Sequence, residues 1–175
     1  MIYNSIITDT KHKFATGLNG TYDDYNEVLT TSALAGDFSR VDRSIGAFFE
    51  YTYDNLSNFS FVAGVRADSH NHLGNFITPR LHLRYNPWKQ ATFRVSAGRG
   101  KRAANVIAEN QQLLASSRQL HIVGGDGGKL YGLNPEIAWN YGASFLQAFK
   151  IWGKNAELSV DFYRTHFDNQ VVVDL

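Results

Sequence analysis

Apolar and polar residues alternate along seven stretches of the chain, at residues 13–22, 43–54, 58–68, 77–86, 91–100, 135–150 and 156–167. A period of two predicts β-strands with two different faces. Three connections are as short as hairpin turns, at residues 55–57, 86–90 and 151–155, and the other three, at 23–42, 69–76 and 101–134, are longer. The pattern predicts an all-β fold, an antiparallel up-and-down meander of about seven strands with short and long connections in alternation.

The two predicted faces differ sharply in character. One is almost free of charge; it carries, among others, Ile45, Phe49, Tyr51, Tyr53, Phe61, Val65, Leu81, Leu83, Tyr85, Phe93, Val95, Tyr141, Phe145, Val160 and Phe162. The opposite face is polar and concentrates five cationic or ionisable side chains, Arg66, Arg80, His82, Arg84 and Arg94. In a soluble β-sandwich the apolar face is the core, whereas in an outer-membrane barrel it meets lipid and the polar face lines the lumen.

Aromatic residues beside the short turns favour the barrel. They are Tyr51, Tyr53 and Phe59 at the first turn, Tyr85 and Trp88 at the second, and Phe149 and Trp152 at the third. Such a belt suits a membrane–water interface, where amphipathic rings settle. Bacterial barrels also have short turns on one side and long loops on the other, a rule that a Greek-key sandwich does not follow. We therefore predict a partial transmembrane β-barrel.

Composition removes several other classes of protein. The 175 residues include no cysteine, which excludes a disulfide scaffold, thiolate metal sites and cysteine catalysis. The formal net charge of +1 gives no reason to expect a nucleic-acid partner. No apolar run is long enough for a transmembrane helix, and residues 1–9 do not resemble a signal peptide.

Three patterns resemble chemical sites, but each has a plainer interpretation. His70 and His72 would need a third ligand such as Asp68 to bind a metal, and we interpret them as part of a solvated loop. The glycines at 98–100 and 124–128 do not join a strand to a helix, as a phosphate-binding loop requires. No spacing ties Glu109 to His121 or Asp126 as an acid–base pair. We predict no catalytic residue, no metal and no cofactor, and hence no enzyme.

Several segments together resemble the barrel domain of TonB-dependent outer-membrane receptors of the kind abundant in Bacteroidetes. They are GAFFEYTYD and FVAGVRADSHNHLGNFITPRLHLRYNP, then FRVSAGRGKRAANVIAEN, and finally LNPEIAWNYGASF and LSVDFYRTHFDNQVVVD. The resemblance implies a bacterial outer-membrane protein whose large barrel is closed by an N-terminal plug. Because even the smallest outer-membrane barrels have eight strands, we expect residues 1–175 to be a partial barrel domain that lacks the plug and the remaining strands.

The resemblance also implies partners and sites. The partners would be outer-membrane lipid, the plug and remaining strands of the parent receptor, TonB acting through the plug, and a bulky nutrient such as a siderophore, cobalamin, glycan or peptide. The five polar-face residues would face the lumen and the plug; otherwise they are cations on a solvated sheet.

Ligand contact is expected in the longest loop, 101–134, whose segment 103–120 should form a helical turn or two at most. Candidate ligand-binding residues are Arg102, Asn105, Glu109, Asn110, Gln111 and Arg118. The loop could equally fold against its neighbours without touching a ligand. Two other functions stay open: a small pore or adhesin-like barrel built from several copies, and a soluble secreted carbohydrate-binding β-sandwich.

Overall fold

The computed structural model describes residues 1–7, 9–26, 28–30, 35–37, 39–114 and 130–173. Within these ranges the chain forms strands and two helices of one turn each. The strands are β1 (Ile2–Ile7), β2 (His12–Tyr25), β3 (Val28–Thr30), β4 (Ala35–Asp37), β5 (Arg40–Asp54), β6 (Phe59–His70), β7 (Gly74–Tyr85), β8 (Ala91–Arg102), β9 (Glu136–Ile151) and β10 (Lys154–Asn169). The helices are α1 (Val106–Glu109) and α2 (Gln111–Leu114).

Eight strands form one antiparallel sheet in the order β1-β2-β5-β6-β7-β8-β9-β10, and β3 pairs with β4 in a separate hairpin inserted between β2 and β5. The predicted meander is confirmed, since the strands of the large sheet follow chain order. Strand β1 was not predicted because residues 2–7 show no alternation; the segment is extended through its pairing with β2. The described part of the sheet is open, with β1 and β10 as its edges.

The connections at one end of the sheet are all short, whereas two of the three at the other end are long. Residues 8–11, 55–58, 86–90 and 152–153 connect strands at one end, which we call the turn end. The β3–β4 hairpin, residues 71–73 and residues 103–135 connect strands at the other, the loop end. One predicted long connection is wrong: 69–76 is a three-residue turn, because β6 continues to His70 and Gly74 restarts the chain with φ of 70°.

The tight turns have the residues that their geometry needs. Trp152 and Gly153 have φ of 49° and 76°, the two positive values required by a two-residue hairpin of the mirror-image type. The Asn55 carboxamide oxygen accepts hydrogen bonds from the backbone N–H groups of Ser57, Asn58 and Phe59 at 3.0, 3.0 and 2.9 Å. An asparagine side chain thus holds the β5–β6 turn.

The sheet has almost no hydrophobic core of its own. Among the described residues, the buried hydrophobic side chains are Ala91, Ala104 and Val106, and no large side chain is fully buried. Large apolar residues lie exposed instead, for example Ile45 at 66% and Phe162 at 62% of full accessibility. No helix in the described ranges is long and apolar enough to cross a membrane.

Strand β7 is paired unequally on its two sides. It pairs with β6 over its full length, from Gly74 opposite His70 to Tyr85 opposite Phe59. With β8 it pairs only from Arg80, opposite Gly98, to the turn end. The two strands therefore separate toward the loop end, although each keeps its other neighbour.

Candidate functional site

The register confirms that the alternating residues form two continuous faces. One row across six strands consists of Tyr53, Phe61, Leu83, Val95, Ala143 and Phe162, each directly opposite the next. The neighbouring row points to the other face and consists of Asp54, Ser60, Arg84, Arg94, Ser144 and Asp161. Because adjacent residues of a strand point to opposite faces, these two neighbouring rows separate apolar from polar side chains. Other rows have exceptions, such as Phe48 opposite Arg66 on the polar face and Arg164 opposite Tyr141 on the apolar face.

Nothing in the described part of the chain covers the apolar face. The described strands form one eight-stranded sheet and one small hairpin, so no second large layer packs on it, as it would in a sandwich. Contiguous apolar surface on this scale is typical of a face that contacts lipid or another protein. The arrangement does not favour the soluble carbohydrate-binding sandwich.

Aromatic side chains gather at the turn end of this face. The Tyr51 and Tyr53 rings both pack against Phe61, with ring centroids 5.8 and 5.9 Å apart. His12, which sequence reasoning overlooked, joins the group because β2 places it opposite Tyr53, and its Nδ1 lies 2.5 Å from the Tyr51 hydroxyl. Trp152 projects from the β9–β10 turn and is 98% exposed. Rings with one apolar and one polar end suit the boundary between lipid and water.

On the polar face, two of the five predicted lumen-facing residues form ion pairs within the sheet. Arg66 donates to Asp68 through Nε and Nη2 at 2.7–2.9 Å, in the two-pronged geometry that guanidinium and carboxylate groups favour. Asp68 is buried, at 6% side-chain exposure, whereas Arg66 keeps 44%. The buried carboxylate is therefore neutralised by its neighbour on the same face.

Arg80 reaches its partner across a whole strand. Arg80 on β7 and Glu50 on β5 both lie opposite Gly64 of β6, and their side chains form an ion pair over this glycine. A Cβ at position 64 would lie 2.9 Å from Arg80 Nε and 3.1 Å from its Cγ. Glycine leaves room for the bridge, because the arginine side chain would have to move if position 64 carried a Cβ.

The candidate ligand-binding residues hold the base of the long loop together. Arg102, the last residue of β8, donates from Nε to Glu136 at 2.6 Å and lies 3.1 Å from Glu109. Asn105 caps α1 by accepting the Ala108 N–H, and its own N–H donates to Glu109. Asn110 donates to the Val106 carbonyl oxygen at 2.9 Å. These contacts bring Arg102, Asn105 and Glu109 together, while Gln111 is exposed at the start of α2 and Arg118 lies outside the described residues.

A second group at the loop end was not predicted. Arg40, at the start of β5, donates to the Tyr131 hydroxyl at 3.0 Å and stacks its guanidinium 4.3 Å from the Tyr25 ring centroid. Tyr131 in turn donates to Asn105 at 3.4 Å. The group links the start of β5 to both ends of the loop that follows β8. Tyrosine and arginine so far apart in sequence leave no local pattern that could have revealed it.

The histidine pair in the β6–β7 turn serves the turn. His70 Nδ1 accepts the His72 N–H at 3.1 Å, and His72 Nε2 lies 3.4 Å from Asp42. Asp68, proposed above as the third ligand a metal would need, is bound by Arg66. Within the described ranges no group of three or more histidine, aspartate or glutamate side chains is placed to hold a metal ion.

Two kinds of comparison with known proteins match this fold. The model of the family described as TonB dependent receptor-like, beta-barrel matches residues 3–175. Two crystal structures of mutants of the ferric enterobactin receptor PfeA from Pseudomonas aeruginosa superpose with TM-scores of 0.67 and 0.66, at 16% and 17% sequence identity. Each alignment covers 97% of this chain but only 26% of the receptor, so the chain spans about a quarter of those proteins.

No curated protein sequence matches the chain. At such low identity the two receptor structures show the fold alone, and the resemblance to receptors of Bacteroidetes stays a prediction. The family model, however, matches nearly the whole sequence, and its barrel agrees with an open antiparallel sheet whose apolar face has no cover and whose polar face carries the ion pairs. The chain therefore belongs to the family of TonB-dependent receptor-like β-barrels.

Proposed function

We propose that residues 1–175 form part of the wall of an outer-membrane receptor that takes up a bulky nutrient with energy supplied through TonB. The observation that carries the proposal is the bare apolar face of a single-layer sheet that matches the family's barrel. Such a face is stable in lipid, and the ion-paired face opposite it suits a wet lumen. Family membership supports transport or reception rather than catalysis.

The remaining partners follow from this placement. Outer-membrane lipid would contact the apolar face and the aromatic belt, and the open edges of β1 and β10 would pair with further strands of the barrel. A plug would occupy the lumen against Arg66, Arg80, His82, Arg84 and Arg94, and TonB would act through that plug. The nutrient is a siderophore, cobalamin, glycan or peptide.

The long loop after β8 is the proposed place of nutrient capture. Its base is rigid, because Arg102 bridges Glu109 and Glu136 and Asn105 caps α1. Loops held by a rigid frame are where binding residues concentrate. Arg102 is 62% exposed and Glu109 40%, so both stay within reach of a ligand while they hold the base.

A loop replacement in the complete receptor tests this proposal. Exchanging residues 111–129 for a short Gly-Ser linker leaves Arg102, Asn105, Glu109 and Glu136 in place. We expect a normally heat-modifiable protein in the outer membrane whose nutrient binding is reduced at least tenfold. Ferric enterobactin, cyanocobalamin, an oligosaccharide and an oligopeptide serve as probes against the unchanged receptor.

A substitution at the opposite end, Lys89→Ser in the β7–β8 turn, is the matched control and should bind normally. Unchanged affinity after the loop replacement would move capture to another part of the receptor. A protein that fractionates as soluble would contradict the membrane placement itself.

A further inference from the structure

Among the residues that the structure describes, Arg84 and Arg94 differ from Arg66 and Arg80 on the same face in having no acidic partner. Arg66 and Arg80 are neutralised by Asp68 and Glu50. Arg84 Nε instead donates a long hydrogen bond of 3.4 Å to the Asn86 carboxamide oxygen. In the part of the chain that the structure describes, no carboxylate lies within ion-pairing distance of either guanidinium.

The register places these two cations side by side. Arg84 on β7 lies directly opposite Arg94 on β8. Like charges in this position destabilise a sheet unless something outside it neutralises them. On the neighbouring strands of the same row, Ser60 of β6 lies opposite Arg84 and Ser144 of β9 lies opposite Arg94.

The nearest acids of the same row are two strands away on each side. Asp54 and Asp161 follow Ser60 and Ser144 in the row, with backbones about 10 Å from the nearer arginine at ordinary strand spacing. Arg80 spans the same separation to reach Glu50, but neither Asp54 nor Asp161 forms an ion pair with Arg84 or Arg94. Both are also engaged locally: Asp54 accepts the Leu56 N–H at 2.7 Å, and Asp161 accepts the Ser159 hydroxyl at 3.2 Å. The sheet therefore leaves a doubly positive position flanked by two serines.

Arg84 and Arg94 line an open cavity of about 280 Å³ on the sheet. Its polar lining is completed by His82, Ser96, Tyr163 and the two serines of the row; the other lining residues are apolar or glycine, and none is acidic. Arginine, serine and tyrosine can all donate hydrogen bonds, and paired guanidinium forks match the oxygens of a carboxylate or phosphate. The chemical complement of this position is an oxyanion.

We propose that Arg84 and Arg94 bind a carboxylate that belongs to another part of the receptor, in the segment that covers the polar face. The inference rests on the proposed function, since it requires that face to be covered. Once water is displaced from the cavity, two adjacent cations need a fixed counter-charge, and a carboxylate held between them supplies it. The arginine pair would thus bind an acidic side chain of the covering segment and hold that segment against this part of the sheet.

Zero-length chemical coupling in the complete receptor tests the proposal. Arg84→Lys and Arg94→Lys, made singly, keep the charge and introduce an amine that a carbodiimide joins only to a carboxylate in direct contact. We expect mass spectrometry to identify an amide between either introduced amine and an aspartate or glutamate outside residues 1–175. Arg80→Lys is the matched control, and its amine should couple to Glu50 within the sheet.

Coupling of the Arg80→Lys amine to Glu50 without any coupling at positions 84 or 94 would overturn the proposal, as would coupling only to Asp54 or Asp161. A free anion is distinguished by the melting temperature in sodium phosphate against sodium chloride at equal ionic strength. A phosphate-specific rise that disappears in the Arg84→Gln/Arg94→Gln receptor would replace the carboxylate by a dissolved oxyanion. If the proposed function itself were wrong, heat-modifiable protein would be absent from the outer membrane. The Arg80→Lys control would still couple to Glu50 in that case, because this contact lies within the sheet.

Discussion

Strand β7 has two neighbours and is joined to them in different ways. Toward β6 its backbone ladder is complete, and above the ladder Arg80 crosses Gly64 to reach Glu50. Toward β8 the backbone ladder ends at Arg80. Beyond it the strands are linked by side-chain hydrogen bonds, in which Arg99 donates to the Ile77 carbonyl oxygen at 3.2 Å and Lys101 to the Leu73 carbonyl oxygen at 2.8 Å. We call this unpaired stretch, Gly74–Pro79 beside Arg99–Arg102, the seam.

Proline explains where the seam begins. Asn86 donates its N–H to Asn58 beside β6, and consecutive residues of a strand direct their N–H groups to opposite neighbours. An odd-numbered residue of β7 therefore faces β8, and Pro79 is the one that has no N–H to donate. Side-chain alternation predicts β7 and β8 as equivalent strands, but the ladder between them ends at the position where Pro79 lacks an N–H donor.

The largest effect is expected on the apolar face of β8, where two positions can be compared. One lies in the half of β8 that is paired with β7, and the other lies at the seam. Val95 lies in a complete ladder between Leu83 and Ala143, so an arginine there would meet lipid with no partner. Val95→Arg should lower the free energy of unfolding in lipid by about 2–4 kcal/mol and reduce heat-modifiable receptor in the outer membrane. Arg99, also outward by alternation, is tolerated because the seam offers its guanidinium the Ile77 carbonyl.

Thr92→Arg is the control for this comparison, since Thr92 lies on the same strand, points to the polar face and is not part of the cavity beside Arg84 and Arg94. Its effect should be much milder. Equal loss from both substitutions would remove the assignment of the two faces.

An intermediate effect is expected on the β6 side of β7. Gly64→Val would push a side chain into the path of Arg80 and separate it from Glu50. We expect about 0.5–1 kcal/mol of destabilisation from the displaced ion pair, measured by chemical denaturation of the complete receptor. Gly100→Val, on the same face of β8, is the matched control because no atom lies within 4 Å of its Cβ. Comparable destabilisation by both would mean that strand flexibility, not the bridge over Gly64, sets the need for glycine.

The sequence predicts which residues share a face better than it predicts which side chains contact one another. Alternation predicts which residues share a face because the period of a strand is local, and the positions of Glu50, Arg66 and Arg80 on the polar face follow from it. Their pairing does not, because Arg80 meets Glu50 only after β5, β6 and β7 have come into register. The three-residue β6–β7 turn was missed because residues 69–76 look loop-like, although His70 closes the turn with its ring. Strand β1 was missed because its extended form depends on β2.

At the base of the long loop, too, the sequence predicts the kind of contact but not the partners. The polar composition of 101–134 predicts hydrogen bonding but not its direction, and Arg102, Asn105 and Glu109 bond to one another and to Glu136. Their role toward a nutrient stays a prediction. The buried position of Glu136 at the first residue of β9 could not be read from the sequence, since its partners, the Arg102 guanidinium and the Val171 N–H, are more than 30 residues away along the chain.

The smallest effect addresses the seam directly. Extending the register from Arg80 opposite Gly98 places residue 79 opposite Arg99, so Pro79→Thr would restore one N–H donor at the first missing position of the ladder. We expect slower amide hydrogen exchange in residues 97–102 and a gain of about 0.5–1 kcal/mol in stability, the usual net contribution of one hydrogen bond. Pro87→Thr, in the turn between the same strands, changes the same residue type outside the ladder and should leave exchange in that segment unchanged. If Pro79→Thr also left amide exchange in residues 97–102 unchanged, the side chains of Arg99 and Lys101, and not the proline, would be keeping the strands apart. Lys101→Met, which removes the hydrogen bond to Leu73, should then allow β7 and β8 to pair along the seam.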